Sequence, residues 1–123
     1  MAKNLASART HAYIAQSCRC IYCGAPMWSQ SPEKFAAAHG ISLVDARRFQ
    51  LTAEHLTARS EGGRNSALNI AAACLFCNMK RHQRKAPPAP LAYQALVQMR
   101  ISQGKWHPKH LLKKVLHLGD LRA

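Results

Sequence analysis

Alternating apolar and polar positions in the middle of the chain predict two short strands followed by a helix. Residues 51–58 (LTAEHLTA) alternate as a half-buried strand does, and residues 69–73 (NIAAA) read as a returning strand. The polar run at 59–65 contains paired glycines and is typical of a loop. A helix is predicted from residue 77 to residue 85, and the segment APPAP at 86–90 ends it.

Shorter helices are predicted before this stretch. Residues 7–16 place apolar side chains near one side of a helix, with Ser7 available as its cap. The segment SPE at 31–33 is a helix start, since it offers a serine cap, a proline at the first helical position and an acid in the first turn. Gly40 ends that helix, and residues 42–49 predict another.

Two more helices are predicted beyond the proline run. The first spans residues 91–103 and ends at Gly104, and its inward positions are Ala92, Ala95, Leu96 and Met99. The second begins at Pro108 and separates apolar from basic side chains. Its apolar face comprises Leu111, Leu112, Val115 and Leu116, and its basic face comprises Lys109, His110, Lys113, Lys114 and His117.

The length of the chain favours one domain. With 123 residues and 48% hydrophobic content, it can close about one modest core. We expect a single domain over residues 1–123, with a core at 18–85, the proline-rich break at 86–90 and a basic helical extension at 91–123. No apolar run suits a signal sequence or a membrane span, so the sequence predicts a soluble, cytoplasmic protein with no membrane partner.

The charge predicts a polyanionic partner. Eighteen basic residues face five acidic ones, which gives a formal net charge of +13, and nucleic acid is the commonest polyanion that such proteins bind. A merely solvated surface usually mixes both signs, although the last helix could still present a solvated lysine face. The predicted phosphate contacts are Arg47, Arg48, Arg81, Lys109, Lys113 and Lys114.

Four of the five cysteines form two matched pairs. CIYCG at 20–24 and CLFCN at 74–78 share the order cysteine, aliphatic, aromatic, cysteine. Two such turns facing each other would close one tetrahedral Zn²⁺ site, whereas disulfides or buried free thiols are the alternatives. Zinc held by Cys20, Cys23, Cys74 and Cys77 would be structural, because four thiolates leave no position open for water. Cys18 is the spare cysteine.

Taken together, these motifs resemble a known family. The EH at 54–55, the GG at 62–63, the asparagine at 69 and the CLFCN at 74–78 resemble the HNH nucleases of the ββα-metal finger class. The resemblance covers about residues 52–82, together with the first cysteine pair. It implies an α+β fold, a small zinc-stapled ββα-metal finger with additional flanking helices, and endonuclease activity.

The resemblance also implies roles for individual residues. His55 falls on the family's general base, Asn69 on its middle asparagine and Asn78 on its third signature position, which makes the chain an H-N-N variant. Glu54 stands where the family more often has aspartate, and with Asn78 it would hold Mg²⁺ or Mn²⁺. His82, one helical turn after Asn78, would be a further metal ligand or phosphate contact, with a plain surface role as the alternative.

These residue types suit phosphodiester hydrolysis. The reaction needs a deprotonated water, and an imidazole with an ordinary pKa of ~6.5 is a suitable base. A hard cation must also offset the charge that grows on the leaving oxygen. Asn69 would instead use its amide to tie the loop that follows His55. The expected substrate is DNA, with RNA still open.

Two other classes of protein explain part of the pattern. A non-catalytic zinc module that binds nucleic acid would need the four cysteines but would have no use for Glu54 beside His55. A basic ribosome-associated protein would leave Glu54, His55, Asn69 and Asn78 as coincidence. The sequence leaves open the cleavage specificity and the oligomeric state.

Overall fold

The computed structural model describes residues 4–118, and within them six α-helices surround a two-stranded antiparallel sheet. The helices are α1 (Leu5–Ala15), α2 (Pro32–His39), α3 (Leu43–Ala46), α4 (Leu75–His82), α5 (Pro90–Ser102) and α6 (Lys109–Lys114), and the strands are β1 (Leu51–His55) and β2 (Ile70–Cys74). Two short 3-10 turns lie at Arg47–Phe49 and Arg59–Glu61. The fold is therefore α+β, as the family resemblance implies.

The two strands form a hairpin with a long loop. Pairing runs from Leu51 opposite Cys74 to His55 opposite Ile70. β1 is shorter than predicted, because the chain leaves the sheet after His55, and β2 begins one residue later than predicted. Asn69 is left at the hairpin mouth, where its backbone oxygen accepts from the N–H of Leu56 at 2.9 Å.

β2 is buried along its whole length because other elements cover both of its sides. Its small residues allow α1 to pack closely, and the Gln16 side chain both accepts from the N–H of Ala72 and donates to its oxygen, each at 2.9 Å. The amide of Gln16 thus supplies the hydrogen bonds that a third strand would otherwise make.

α4 begins two residues earlier than predicted and ends three residues earlier. Cys74 serves as its N-cap, since its Sγ accepts from the N–H of Cys77. The side chain just before each of the first two helices also serves as its N-cap. Asn4, rather than Ser7, caps α1, while Ser31 caps α2 and Gly40 ends it in the left-handed conformation that glycine adopts readily.

The inward face of α5 differs from the prediction. Its buried residues are Tyr93, Val97 and Ile101, whereas Ala92, Ala95 and Met99 are exposed and Leu96 is half-buried. Tyr93 determines this rotation, because its hydroxyl donates to the backbone oxygen of Cys77 at 2.9 Å and its ring meets that of Tyr22 edge-on at 4.7 Å. A buried tyrosine needs such a partner, whereas small alanines carry no comparable preference.

α6 has the predicted separation of faces. Leu111, Leu112 and Val115 are buried, Leu116 is half-buried, and the predicted basic residues are exposed. These three buried side chains belong to the same hydrophobic cluster as Phe49 and the cysteine pairs, on the other side of the proline run. The predicted extension, described up to residue 118, therefore packs on the core.

Replacing Leu112 with alanine should destabilise the whole chain. Leu112→Ala leaves a cavity in the shared core and should lower the free energy of unfolding by about 2–5 kcal/mol. Leu91→Ala is the matched control, since Leu91 is 81% exposed and should change stability little. Urea melts of both variants measure the difference. Two separate transitions, with only one of them shifted, would contradict the single-domain prediction.

Candidate active site

β1 presents Glu54 and His55 to opposite sides of the sheet. Glu54 is fully buried opposite Ala71, whereas His55 is half-buried at the last position of the strand. Because successive strand residues point to opposite faces, the Glu54 carboxylate meets α4 and the His55 ring meets the loop of residues 57–69. Within residues 4–118 the two side chains make no hydrogen bond to each other.

Three side chains hold the Glu54 carboxylate. Its Oε2 accepts from the Tyr22 hydroxyl at 2.6 Å and from Nη1 of Arg81 at 2.9 Å, and its Oε1 lies 2.7 Å from Nε2 of His82. Burial and the nearby carboxylate raise the pKa of Tyr22, which keeps its hydroxyl a donor. Since Oε2 is shared by two donors, Oε1 is the oxygen that could face a cation together with His82.

Arg81 does not lie where a phosphate contact should. It is 3% exposed, and its guanidinium also donates to the backbone oxygens of His55, Leu56 and Pro88 at 3.0–3.1 Å. These oxygens lie at and beyond the end of β1 and in the proline run. The predicted role of Arg81 in phosphate binding is therefore corrected: its charge balances Glu54 inside the protein.

Asn78 and His82 lie one turn apart on α4 and face β1. Nδ2 of Asn78 donates to Thr52 Oγ1 and to the oxygen of Ala53, both at 3.0 Å, and its Oδ1 accepts no hydrogen bond within the described residues. His82, with a side chain 30% exposed, reaches Glu54 Oε1. A carboxylate oxygen, an imidazole nitrogen and a free amide oxygen suit a divalent cation, so these residues fit the metal that the family resemblance implies.

Asn69 closes the loop that follows β1. Its Oδ1 accepts from the N–H of Thr57 at 2.7 Å, and its Nδ2 donates to the oxygens of Thr57 at 3.1 Å and Arg64 at 2.8 Å. Gly63 passes so close to Thr57 that any side chain there would overlap the Thr57 backbone oxygen. The loop is thus tied across its base. That Asn69 supports catalysis stays a prediction.

The His55 ring is held by a residue that the sequence analysis missed. Its Nε2 lies 2.8 Å from Oδ1 of Asn65, which also accepts from Nη2 of Arg59 at 3.3 Å. In the tautomer with the proton on Nε2, His55 donates to Asn65 Oδ1 and its Nδ1 keeps a free lone pair. Both contacts from Arg59, to Asn65 Oδ1 at 3.3 Å and to His55 Nε2 at 3.4 Å, are longer than the contact between His55 and Asn65. An asparagine after paired glycines resembles an ordinary turn residue.

The four predicted zinc ligands converge. The sulfur atoms of Cys20, Cys23, Cys74 and Cys77 all lie within 4.8 Å of one another and are buried, whereas Cys18 is exposed. Tetrahedral Zn²⁺ with Zn–S bonds of ~2.3 Å would separate the sulfurs by about 3.8 Å, and Cys23 and Cys74 are 3.9 Å apart. Burial raises the pKa of the Cys74 and Cys77 thiols, so a cation is needed to hold these two sulfurs as thiolates.

Two aromatic residues connect the cysteine cluster to the rest of the protein. Tyr22, between Cys20 and Cys23, is the residue that donates to Glu54. Trp106, from the segment before α6, donates its indole N–H to Cys77 Sγ at 3.3 Å. Trp106 has a positive φ of 78°, which is strained for a bulky residue and persists only where the surroundings fix it. No motif in the sequence indicated either contact.

The remaining basic residues predicted to bind phosphate differ in availability. Arg47, Lys109 and Lys113 are exposed, and Lys114 is exposed but donates to the oxygen of Gly40 at 3.1 Å. Arg48 is instead half-buried, as its guanidinium lies 3.7 Å from the centre of the Phe76 ring and donates to His107 Nδ1.

The environment of Arg48 shows why it is less available than its neighbours. Burial lowers its pKa. Burial and the Arg48 charge also lower the pKa of His107 to about 3, so that ring is neutral and can accept from Arg48. The Arg48 guanidinium therefore packs between the turn before β1 and the segment before α6, so it is less available for the phosphate contact predicted for it.

Comparison with known proteins identifies the family. Residues 20–84 match the HNH endonuclease family, and this match covers more than half of the chain. The chain belongs to the HNH endonuclease family, which indicates a nuclease-type function on nucleic acid. Neither the curated proteins nor the solved structures give a significant match. Within residues 4–118 no helix is long and apolar enough to span a membrane.

One tightly held Zn²⁺ is expected for each chain. Cys77→Ser should lose the ion and melt at a lower temperature, because the cluster would retain three thiolates, whereas Cys18→Ser should keep both the ion and the melting temperature. Elemental analysis and thermal melts measure the two effects. Loss of zinc from Cys18→Ser but not from Cys20→Ser would show that the ligand set is wrong.

Removing the Arg81 charge should destabilise the fold strongly. Arg81→Met leaves the buried Glu54 carboxylate without its ion-pair partner, and breaking such a pair costs about 3–5 kcal/mol. Arg84→Met is the matched control, because Arg84 is an exposed neighbour. Chemical denaturation of the two variants gives the comparison. Equal stabilities would mean that Glu54 does not depend on Arg81.

Proposed function

We propose that the protein is a metal-dependent HNH endonuclease that hydrolyses phosphodiester bonds in DNA. The observation that carries the proposal is the placement of His55 at the end of β1. Its Nε2 is fixed at 2.8 Å from Asn65, and the neighbouring residue, Glu54, pairs with His82 at 2.7 Å. Because β1 ends at His55, the imidazole and the Glu54 carboxylate can serve one site although they have different neighbours. Such a site would combine a base with ligands for a cation.

His55 would act as the general base. With the proton on Nε2 and Asn65 as its acceptor, the lone pair of Nδ1 can take a proton from water. A positioned base typically contributes about 10²–10⁴-fold to the rate. Asn65 would keep the ring in the correct tautomer and orientation, and Asn69 would hold the loop that carries Asn65.

Glu54, Asn78 and His82 would hold the catalytic cation, which we propose is Mg²⁺ or Mn²⁺. The ion would supply charge stabilisation for the phosphoryl group and the leaving oxygen. Tyr22 and Arg81 fix the Oε2 atom of Glu54, so its Oε1 remains for the cation. The zinc cluster would be structural, since four thiolates leave no open coordination position.

The partner and the organisation of the chain form part of the same proposal. DNA is the proposed substrate, contacted through the exposed Arg47, Lys109, Lys113 and Lys114, and the net charge of +13 supports a polyanion. We propose one domain over residues 1–123, supported by the hydrophobic cluster that spans the break at 86–90. A cysteine cluster without disulfides is compatible with a reducing compartment such as the cytoplasm.

A non-catalytic zinc protein that binds nucleic acid is the second candidate. The observation that favours it is the buried pair of Glu54 and Arg81, because the positive charge at 2.9 Å already balances the carboxylate and weakens its attraction for a cation. In that case Glu54 would have a purely structural role.

Cleavage of supercoiled plasmid decides between the two candidates. Wild-type protein should cut the plasmid with Mg²⁺ or Mn²⁺ and not with EDTA. His55→Ala should lose at least about 10²-fold in rate, because the base is removed. Asn65→Ala should retain partial activity, because His55 would still be present but less well held.

Binding and folding controls make the cleavage result interpretable. His55→Ala should bind duplex DNA in EDTA as tightly as the wild type and keep its melting temperature. Wild-type cleavage by His55→Ala would show that another group is the base. A wild-type protein that binds DNA but cuts it with neither metal would establish the non-catalytic candidate.

A further inference from the structure

We propose that an open cleft beside His55 is a binding site for a backbone phosphate of DNA, with Arg59 and Arg64 as its cationic walls. Neither arginine stands among the basic residues predicted from the sequence to contact phosphate. The proposal rests on the proposed function in its choice of substrate, and it identifies where the substrate strand lies relative to the His55 ring.

The cleft is formed by the loop that connects β1 and β2. It has a volume of about 480 Å³ and is lined by Arg59, Gly63, Arg64 and Asn65. Asn65 also contacts the His55 ring at 2.8 Å. A group bound in the cleft would therefore be separated from the proposed base by the Asn65 side chain alone. A backbone phosphate bound in the cleft would place the DNA strand next to His55.

The wall of the cleft that carries Arg64 is fixed before any ligand binds. The backbone oxygen of Arg64 accepts from Nδ2 of Asn69 at 2.8 Å. Gly62 has a positive φ of 89°, and Gly63 packs directly against the Thr57 backbone. Asn69 thereby holds the Arg64 backbone as well as the base of the loop. Such preorganisation lowers the entropic cost of binding.

The two guanidinium groups have donors to spare. Both side chains are exposed, and in the described part of the chain neither forms an ion pair with a carboxylate. Glu61 is the acid within this loop, and it too is exposed and forms no ion pair there. The contacts of Arg59 to His55 and Asn65 are long, at 3.3–3.4 Å, and neither is made to a carboxylate. A phosphate oxygen is a stronger acceptor for arginine than either of these groups.

The chemistry of the lining selects an anion. Among the described residues no carboxylate or thiolate lines the cleft, so it offers no charged ligand to a cation, and its arginines, glycine and asparagine offer little to an apolar ligand. The planar fork of an arginine matches two phosphate oxygens at once. Among anions, a polynucleotide backbone agrees best with the charge of +13 and with the HNH family match.

Arg64→Ala tests the proposal most directly, because the Arg64 side chain takes no part in holding His55. Its affinity for a short duplex is measured in EDTA, where no cleavage occurs, over a range of NaCl concentrations. Losing one phosphate contact should reduce the salt slope by about 0.9 and the affinity by roughly 8-fold at 0.1 M salt. Arg59→Ala should show a similar loss.

Arg100→Ala is the matched control, since it removes the same charge from an exposed position on α5. It should change the affinity less than about 2-fold and leave the slope nearly unchanged. Thermal melts check that every variant is folded. Equal losses in Arg64→Ala and Arg100→Ala would overturn the proposal, because the effect would then be general charge and not a site.

A second arm separates polynucleotide from free phosphate. Inorganic phosphate at matched ionic strength should displace the duplex no better than chloride does. If the wild-type protein binds inorganic phosphate through Arg64, while Arg64→Ala leaves the affinity for DNA unchanged, the cleft is a free-phosphate site and the proposal is wrong.

The plasmid assay distinguishes this proposal from the proposed function. Weaker DNA binding by Arg64→Ala, with a wild-type protein that does not cut, would support the cleft and reject the nuclease. Wild-type cutting with unchanged binding by Arg64→Ala would do the reverse.

Discussion

The buried charge of Glu54 constrains the centre of this protein. A carboxylate without access to water must be paired, and its partners come from separate parts of the chain: Tyr22 from the first cysteine turn, and Arg81 and His82 from α4. These contacts fix the position of α4 against the end of β1. Two donors occupy Oε2 of the carboxylate, whereas Oε1 faces His82. The candidate metal site therefore lies on the Oε1 side of Glu54.

The cysteine cluster acts as the second constraint because it joins distant segments. Cys20 and Cys23 precede the sheet, whereas Cys74 and Cys77 start α4. Tyr22 extends this connection to Glu54, and Trp106 extends it to the C-terminal segment. A small chain with a high net charge has a limited core and strong self-repulsion, so a metal staple at the junction of these segments suits its composition.

The loop after β1 shows how a few residues with structural roles can prepare a site. Asn69 and Gly63 close the base of the loop, Asn65 contacts His55, and Arg59 contacts both His55 and Asn65. Paired glycines and an asparagine predicted a loop here. The sequence did not show that one of its asparagines would meet the His55 ring, because loop contacts depend on where the chain returns.

The sequence by itself determined the elements with local causes: the helix start at Ser31, the break at the proline run, the apolar face of α6, the two cysteine pairs and the family motif. Tertiary structure decided what depends on packing between distant segments. It turned Tyr93, and not the alanines of α5, inward, and it buried Arg81 and half-buried Arg48 where phosphate contacts were predicted. A long basic side chain reads as surface in a sequence, because the buried acid or aromatic ring that holds it is known only once the fold brings the two together.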